Sequence, residues 1–171
     1  MRYNTIIYND TCNGYGMRMS YFCQGCSIHC KNCFNKELQN FNGGKEFTKE
    51  ILEDSFEVFD MFKNNYDGIT LIGGECMDNI EFAYCVASEF KKKFSNKTIW
   101  IYSGYTYEEI IKNEDRLRLL KLCDILVDGR FVEELKSPLL KFRGSSNQRL
   151  INVKESLDKG EIILWENEKK L

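Results

Sequence analysis

Proline is nearly absent from this chain. Pro138 is the only one in 171 residues, which excludes a proline-rich linker or recognition tract, and no internal repeat or low-complexity stretch interrupts the sequence. Charge of one sign is also missing. Lys and Arg number 24 against 26 Asp and Glu, for a formal net charge of -2, so there is no electrostatic footprint for nucleic acid. No apolar run reaches the roughly eighteen residues of a membrane span, and no secretory h-region is found, so a soluble cytoplasmic protein with no membrane partner is expected. What is present is 43% hydrophobic and 13% aromatic residues, enough for one sizeable core, and residues 1–171 are read as a single domain. Eight cysteines in a reducing compartment are not a disulfide framework, so metal binding or burial must account for them.

Four of those cysteines fall between Cys23 and Cys33. Cys26, Cys30 and Cys33 sit at spacings of four and three, on a short segment after an apolar-alternating stretch. Thiolates so spaced can converge on one face of an iron-sulfur cube, and three ligands for four irons leave one iron open for chemistry. Two other readings fit the spacing. Positions i, i+4 and i+7 on a helix would make a buried cysteine stripe, although Gly25, Ser27, Asn32 and Asn35 are indifferent or poor helix residues. His29, the only histidine, would complete a Cys3His zinc site or an electron-transfer module. Zinc would leave the glycine motifs further along the chain unexplained.

Residues 3–8 read as extended, and Gly14 and Gly16 as a turn before a strand near Met17 to Phe22 that delivers the cysteine loop. Thr48 is a plausible N-cap for a helix running to about Lys63. The buried strand Gly68 to Ile72, a helix within Asp78 to Phe94, the strand Thr98 to Tyr102, a helix-rich piece from Thr106 to Leu122 and the strand Asp124 to Val127 then alternate as βαβ units of a parallel sheet. Phe131 to Lys136 reads as a helical turn ended by Pro138. Leu150 to Val153 and Glu161 to Trp165, joined across Asp158-Lys159-Gly160, read as a terminal hairpin or two edge strands. The fold class is α/β, with too few units for a closed eight-stranded barrel.

Ligands in such sheets sit at the carboxyl ends of the strands, and three motifs fall there: Gly73-Gly74-Glu75, Ser103-Gly104-Tyr105 and Asp128-Gly129. Glycines let a ligand approach the backbone, while Glu75 or exposed carbonyls can hold an ammonium group. Each motif alone is equally a strand-to-helix turn or a cap. Cys12, Cys23, Cys85 and Cys123 read as buried thiols.

Cys26-Ser-Ile-His-Cys30-Lys-Asn-Cys33, with Asn13 to Arg18 before it and Phe34-Asn35 after it, resembles the radical S-adenosylmethionine (SAM) enzymes. Within them it resembles the activating proteins of anaerobic ribonucleotide reductase. Gly73-Gly74-Glu75, Ile101 to Thr106, Leu126 to Gly129 and Arg143-Gly144-Ser145-Ser146-Asn147-Gln148-Arg149 extend the likeness over nearly the whole chain. The resemblance implies a shortened, open (β/α) partial barrel and a 4Fe-4S cluster on Cys26, Cys30 and Cys33, with S-adenosyl-L-methionine chelating the open iron. It implies reductive cleavage of SAM to a 5'-deoxyadenosyl radical that takes hydrogen from a glycine of the partner reductase, with no catalytic residue beyond the cluster. A reductant such as flavodoxin or ferredoxin would supply the electron. Other small radical SAM enzymes, a different glycyl radical activase or a deazaguanine-type synthase, are the alternatives, and the Arg143 to Arg149 run argues against both.

For SAM, the resemblance points to Gly73, Gly74 and Glu75 at the methionine amino group, to Ser103, Gly104, Tyr105 and Asp128 around the same cavity, and to Asn32, Cys33 and Phe34 at the adenine. Cys76 stands where the family usually has proline. Asn32 replaces its aromatic before the third cysteine, so stacking falls to Phe34. Arg143 to Arg149 reads as a partner-facing or site-closing segment whose arginines position the substrate, and a bulky residue at Gly74 is expected to block SAM while sparing the cluster.

Overall fold

The structure, a computed structural model, describes residues 1–166; positions 167–171, which the single-domain reading includes, lie outside the described residues. The chain starts with antiparallel strands β1 (Arg2–Asp10) and β2 (Arg18–Cys23), and the short β3 (Lys45–Glu46) pairs with the outer side of β1. Helix α1 (Lys49–Met61) begins where Thr48 Oγ1 accepts the Ile51 amide at 3.3 Å, so the N-cap read from sequence is real. Strand β4 (Gly68–Gly73), helix α2 (Ile80–Lys93) and strand β5 (Thr98–Tyr102) follow at the expected places. The helix-rich piece resolves into two short helices, α3 (Tyr107–Ile110) and α4 (Glu114–Leu120), because Asn113 interrupts it and caps the second by accepting the Arg116 amide at 3.0 Å. Strand β6 (Ile125–Asp128), a 3-10 turn at Glu133–Leu135, strand β7 (Arg149–Asn152) and helix α5 (Val153–Lys159) complete the order, with an earlier 3-10 turn at Lys36–Gln39 between β2 and β3.

All seven strands form one sheet in the order β3-β1-β2-β4-β5-β6-β7. The inner run β2, β4, β5, β6 is parallel, and β1 and β7 flank it antiparallel. Alternation along the strands sorts their residues between two faces. Met19, Tyr21, Ile69, Leu71, Ile99, Ile101 and Leu126 join one core with residues from all five helices, including Phe56, Phe59, Phe82, Phe90, Ile110, Leu120 and Val153. Trp100, Ile125 and Val127 form a second, smaller cluster with Tyr102, Phe142, Leu150 and Trp165. The helices therefore cover one face only, and the other face is closed by loops and the C-terminal segment.

At the amino end of the parallel strands that second face is plugged by Arg18. Its guanidinium donates to Thr70 Oγ1 at 2.7 Å and to Thr98 Oγ1 and the Thr98 carbonyl at 3.0 Å each, and it lies 5.5 Å from the centre of the Trp100 ring. Burial lowers its pKa to about 9. A cation so placed is held by carbonyls, hydroxyls and an aromatic face in place of bulk water.

The C-terminal hairpin is corrected. Asp158-Lys159-Gly160 does not turn between two strands but ends α5, with Gly160 at φ 70 as the left-handed cap. Asn152 starts that helix by accepting the Glu155 amide at 3.1 Å. The Glu161 to Trp165 stretch makes only an isolated bridge, Ile151 to Leu164, against β7.

Candidate metal and cofactor site

A cavity of about 220 Å³ opens at the carboxyl ends of β4, β5 and β6, and Cys26, Cys30 and Cys33 line it together with Gly73, Gly74, Glu75, Ser103 and Gly104. Its floor includes Ile72 and Tyr102, which stand one alternation above Thr70 and Trp100 on their strands.

Beyond the end of β2 the chain is held tightly. The Gly25 amide donates to the Leu38 carbonyl at 2.8 Å, and the Gly25 carbonyl accepts from the Glu75 amide and from Asn79 Nδ2, both at 2.8 Å. The next residue but one is fixed by Asp78, whose Oδ2 accepts from the Ser27 amide at 2.9 Å and from its hydroxyl at 2.6 Å. Asp78 Oδ1 in turn accepts from the Tyr105 hydroxyl at 2.9 Å, and Arg116 stacks on the Tyr105 ring 3.7 Å from its centre. The root of the cysteine loop is thus clamped to the start of α2 on both sides of the first thiol, through Gly25 before it and Ser27 after it.

The loop is not helical, so the buried-stripe reading of its spacing is set aside. His29 and Asn32 both adopt left-handed backbone, at φ 51 and 54, and the Cys33 amide closes a turn on the Cys30 carbonyl at 3.2 Å. The three thiols are free and half-buried. Burial pushes the pKa of Cys26 up, against the backbone amides of Ile28 and His29, which favour its thiolate. Among the described residues no three His, Cys, Asp or Glu side chains are gathered closely enough to hold a single metal ion. Cys26, Cys30 and Cys33 line one cavity, and three thiolates are the donor set that holds an iron-sulfur cube while leaving one iron open. His29 is exposed, turns its Nδ1 to Gln39 Oε1 at 3.1 Å and does not line the cavity, so the fourth ligand of a Cys3His site is engaged elsewhere.

Glu75 is fully buried and stitches two strand ends together. Its Oε1 accepts from the Met77 amide at 2.9 Å and the Ser103 hydroxyl at 2.7 Å, and its Oε2 from the Gly104 amide at 2.7 Å. Burial outweighs these three donors and pushes its pKa up to about 7. A carboxyl in that state is poised beside any cation that enters.

Of the residues expected around SAM, Cys33, Phe34, Gly73, Gly74, Glu75, Ser103 and Gly104 come together on the cavity, and Phe34 stands at it 93% exposed. Asn32, Tyr105 and Asp128 do not line it. Asn32 donates to Glu133, Tyr105 is engaged with Asp78, and Asp128 accepts from the Tyr107 amide and from Arg149. Sequence reasoning missed Asp78 and Asn79, which it took only as the start of a helix, and Ile28, Gln39 and Phe131, which also line the cavity. The capping pattern at α2 could have flagged the first two, but their partners lie 51 and 54 residues away.

The 143–149 run is a self-bonded loop. Gly144 and Gln148 line the cavity, Gln148 Oε1 accepts the Gly144 amide at 2.9 Å, and Gln148 Nε2 donates to the Gly129 carbonyl at 3.0 Å. Asn147 donates to the Arg130 carbonyl, and buried Ser145 accepts the Val132 amide. Ser146 is exposed, its amide on the Leu135 carbonyl. Arg143 donates to the Gln148 carbonyl at 2.6 Å. Arg149 forks between Asp128 Oδ1 at 2.9 Å and Glu108 Oε2 at 2.8 Å. That pairing holds Glu108 down at about 2 and raises Arg149 further.

Residues 12–151 match the family described as the 4Fe-4S single cluster domain. The chain is 34% identical over 150 residues to a Salmonella typhi protein named anaerobic ribonucleoside-triphosphate reductase-activating protein, covering 86% of this chain and 96% of that one. The Escherichia coli K12 protein of the same name is 33% identical with the same coverage. The protein of that name from Enterobacteria phage T4 is 34% identical over 152 residues, covering 88% of this chain and 93% of its own.

Proposed function

The chain belongs to the family of anaerobic ribonucleoside-triphosphate reductase-activating proteins, and from that premise we propose that it is a radical SAM enzyme that installs a glycyl radical on an anaerobic ribonucleotide reductase. Cys26, Cys30 and Cys33 would hold the 4Fe-4S cluster. When bound, the cluster supplies the electron that splits SAM into methionine and a 5'-deoxyadenosyl radical, which takes a hydrogen atom from a glycine of the reductase.

The chain's own residues bind, orient and exclude water. The Gly73-Gly74-Glu75 turn offers bare backbone and a buried carboxyl to the methionine amino group, and Ser103 and Gly104 form the adjoining wall. Phe34 offers an aromatic face to adenine. Gly144 and Gln148 close the side of the cavity opposite the cysteine loop and would meet the reductase's glycine segment. No side chain is needed as acid or base. Residues 1–171 are read as one domain, and the single helical layer supports a shortened open (β/α) barrel in which the uncovered face is the barrel interior. The electron would come from a protein such as flavodoxin or ferredoxin.

The observation that carries this reading is that three thiols and two glycine turns from separate strands share one cavity. Anaerobic reconstitution with iron and sulfide tests it. The reduced cluster should give an electron paramagnetic resonance signal that changes on adding SAM, and 5'-deoxyadenosine should form only with reductant. Cys26→Ala, Cys30→Ala or Cys33→Ala should each abolish that product. A cluster that survives Cys33→Ala but is lost in Cys23→Ala would move the ligand set and overturn the assignment.

A further inference from the structure

Two thiols outside the ligand set are in contact. Cys23, the last residue of β2, and Cys76, the residue after the Gly73-Gly74-Glu75 turn, are both wholly buried, and their sulfurs lie 3.6 Å apart. Each belongs to a segment that forms one wall of the cavity, and the segments are tied by backbone. The Gly74 amide donates to the Cys23 carbonyl at 2.9 Å and the Glu75 amide to the Gly25 carbonyl at 2.8 Å. The other buried thiol, Cys123, donates to the Leu119 carbonyl at 3.5 Å; Cys23 and Cys76 share their contact only with each other. A disulfide needs its sulfurs about 2.05 Å apart, so the pair has to close by about 1.5 Å. Side-chain rotation with a small shift of the turn can supply that.

We propose that Cys23 and Cys76 are a redox modification site, a dithiol that a peroxide converts to an internal disulfide. One sulfur takes an oxygen from hydrogen peroxide, releasing water and forming a sulfenic acid. The second sulfur displaces that hydroxyl as a second water as the S–S bond forms. The two sulfurs together lose two electrons, the peroxide oxygens gain them, and both thiol protons leave in the two waters. The neighbouring sulfur and burial, which raise the Cys76 thiol pKa, make attack slow and disfavour bulky disulfides such as oxidised glutathione more than hydrogen peroxide. The bond would join residues 53 positions apart and pin the Gly73 to Glu75 turn against the strand that carries the cysteine loop. The consequence for SAM rests on the function proposed above: a pinned turn adapts less well to the ligand.

The test is made on the full chain, with and without reconstituted cluster. After graded hydrogen peroxide, free thiols are alkylated under denaturing conditions and peptides are mapped by mass spectrometry. A Cys23–Cys76 linked peptide, lighter than its parts by two hydrogens, should appear, vanish on treatment with dithiothreitol and be absent from Cys76→Ala; oxidised glutathione should not produce it. The bridged chain should also melt several degrees higher than the reduced one. The proposal is overturned if both thiols stay alkylatable after exposed Cys12 is fully oxidised. It is equally overturned if Cys76 goes to sulfinic acid without bridging, or if Cys23 pairs with Cys26 instead. These readouts are masses and melting temperatures, so they stand whether or not the chain cleaves SAM.

Discussion

Glu75 shows how one residue links the site to stability. Its pKa rises from 4.5 to about 7 on folding because of burial, so between those values the folded state holds a proton that the unfolded state has lost. Stability should therefore fall as pH rises from about 4.5 to about 7, by up to about 3 kcal/mol. Urea unfolding at a series of pH values should show this slope in the wild type and lose it in Glu75→Gln; parallel slopes would mean that another group is responsible. Gly74 corrects a sequence expectation. A Cβ there would stand 2.3 Å from the Gly25 carbonyl oxygen, one residue before Cys26, so on the proposed ligand set Gly74→Val should lose cluster and SAM binding together and not SAM binding alone. Gly104 separates them. Its Cβ would meet the tip of the Ile28 side chain at 2.5 Å, which can swing away, so Gly104→Ala should keep the cluster spectrum while weakening SAM roughly tenfold, as about 1.4 kcal/mol would do. Anaerobic titration of both variants decides this.

Among the elements, β6 and β7 depend on a charge. Asp128 is wholly buried, and its cation, Arg149, comes from the neighbouring strand. Arg149→Ala leaves that carboxylate without its partner and should cost on the order of 3 kcal/mol by chemical denaturation. Arg149→Lys should recover only part of it, since a single ammonium cannot fork between Asp128 and Glu108. The double change Arg143→Ala with Arg149→Ala would therefore report folding, and Gln148→Ala, at the cavity wall, is the better probe of the reductase. The elements themselves were legible wherever local chemistry decides them. Thr48 announced α1, the apolar runs at 68–72 and 98–102 announced β4 and β5, and Cys26, Cys30 and Cys33 announced the loop. Helix α5 is missed: Asp158-Lys159-Gly160 reads as a turn between strands, although Asn152 with Glu155 three residues on and Gly160 after the end is a capping pattern. What no local pattern carries is Asp78 on Ser27, Arg149 on Asp128 or Cys23 on Cys76, because each joins segments that meet only after the sheet has formed.

At the scale of the molecule, the helices on one face leave the other to be closed by side chains, and they close it at one end only. Arg18, Trp100, Phe142 and Trp165 fill the interior beneath Tyr102, while the cysteine loop and the 143–149 loop rim the opposite end. On the function proposed above, opening the plug should let the radical reaction leak. Trp100→Ala should lower stability by about 3–5 kcal/mol and, at temperatures where the chain stays folded, raise the ratio of 5'-deoxyadenosine formed to glycyl radical formed; an unchanged ratio would mean that the plug only supports the sheet. A cul-de-sac imposes an order of traffic. Whatever enters first is trapped behind whatever arrives second, so a large partner seated over the rim acts as a stopper, and on the function proposed above methionine and 5'-deoxyadenosine would depart only after the reductase has lifted away.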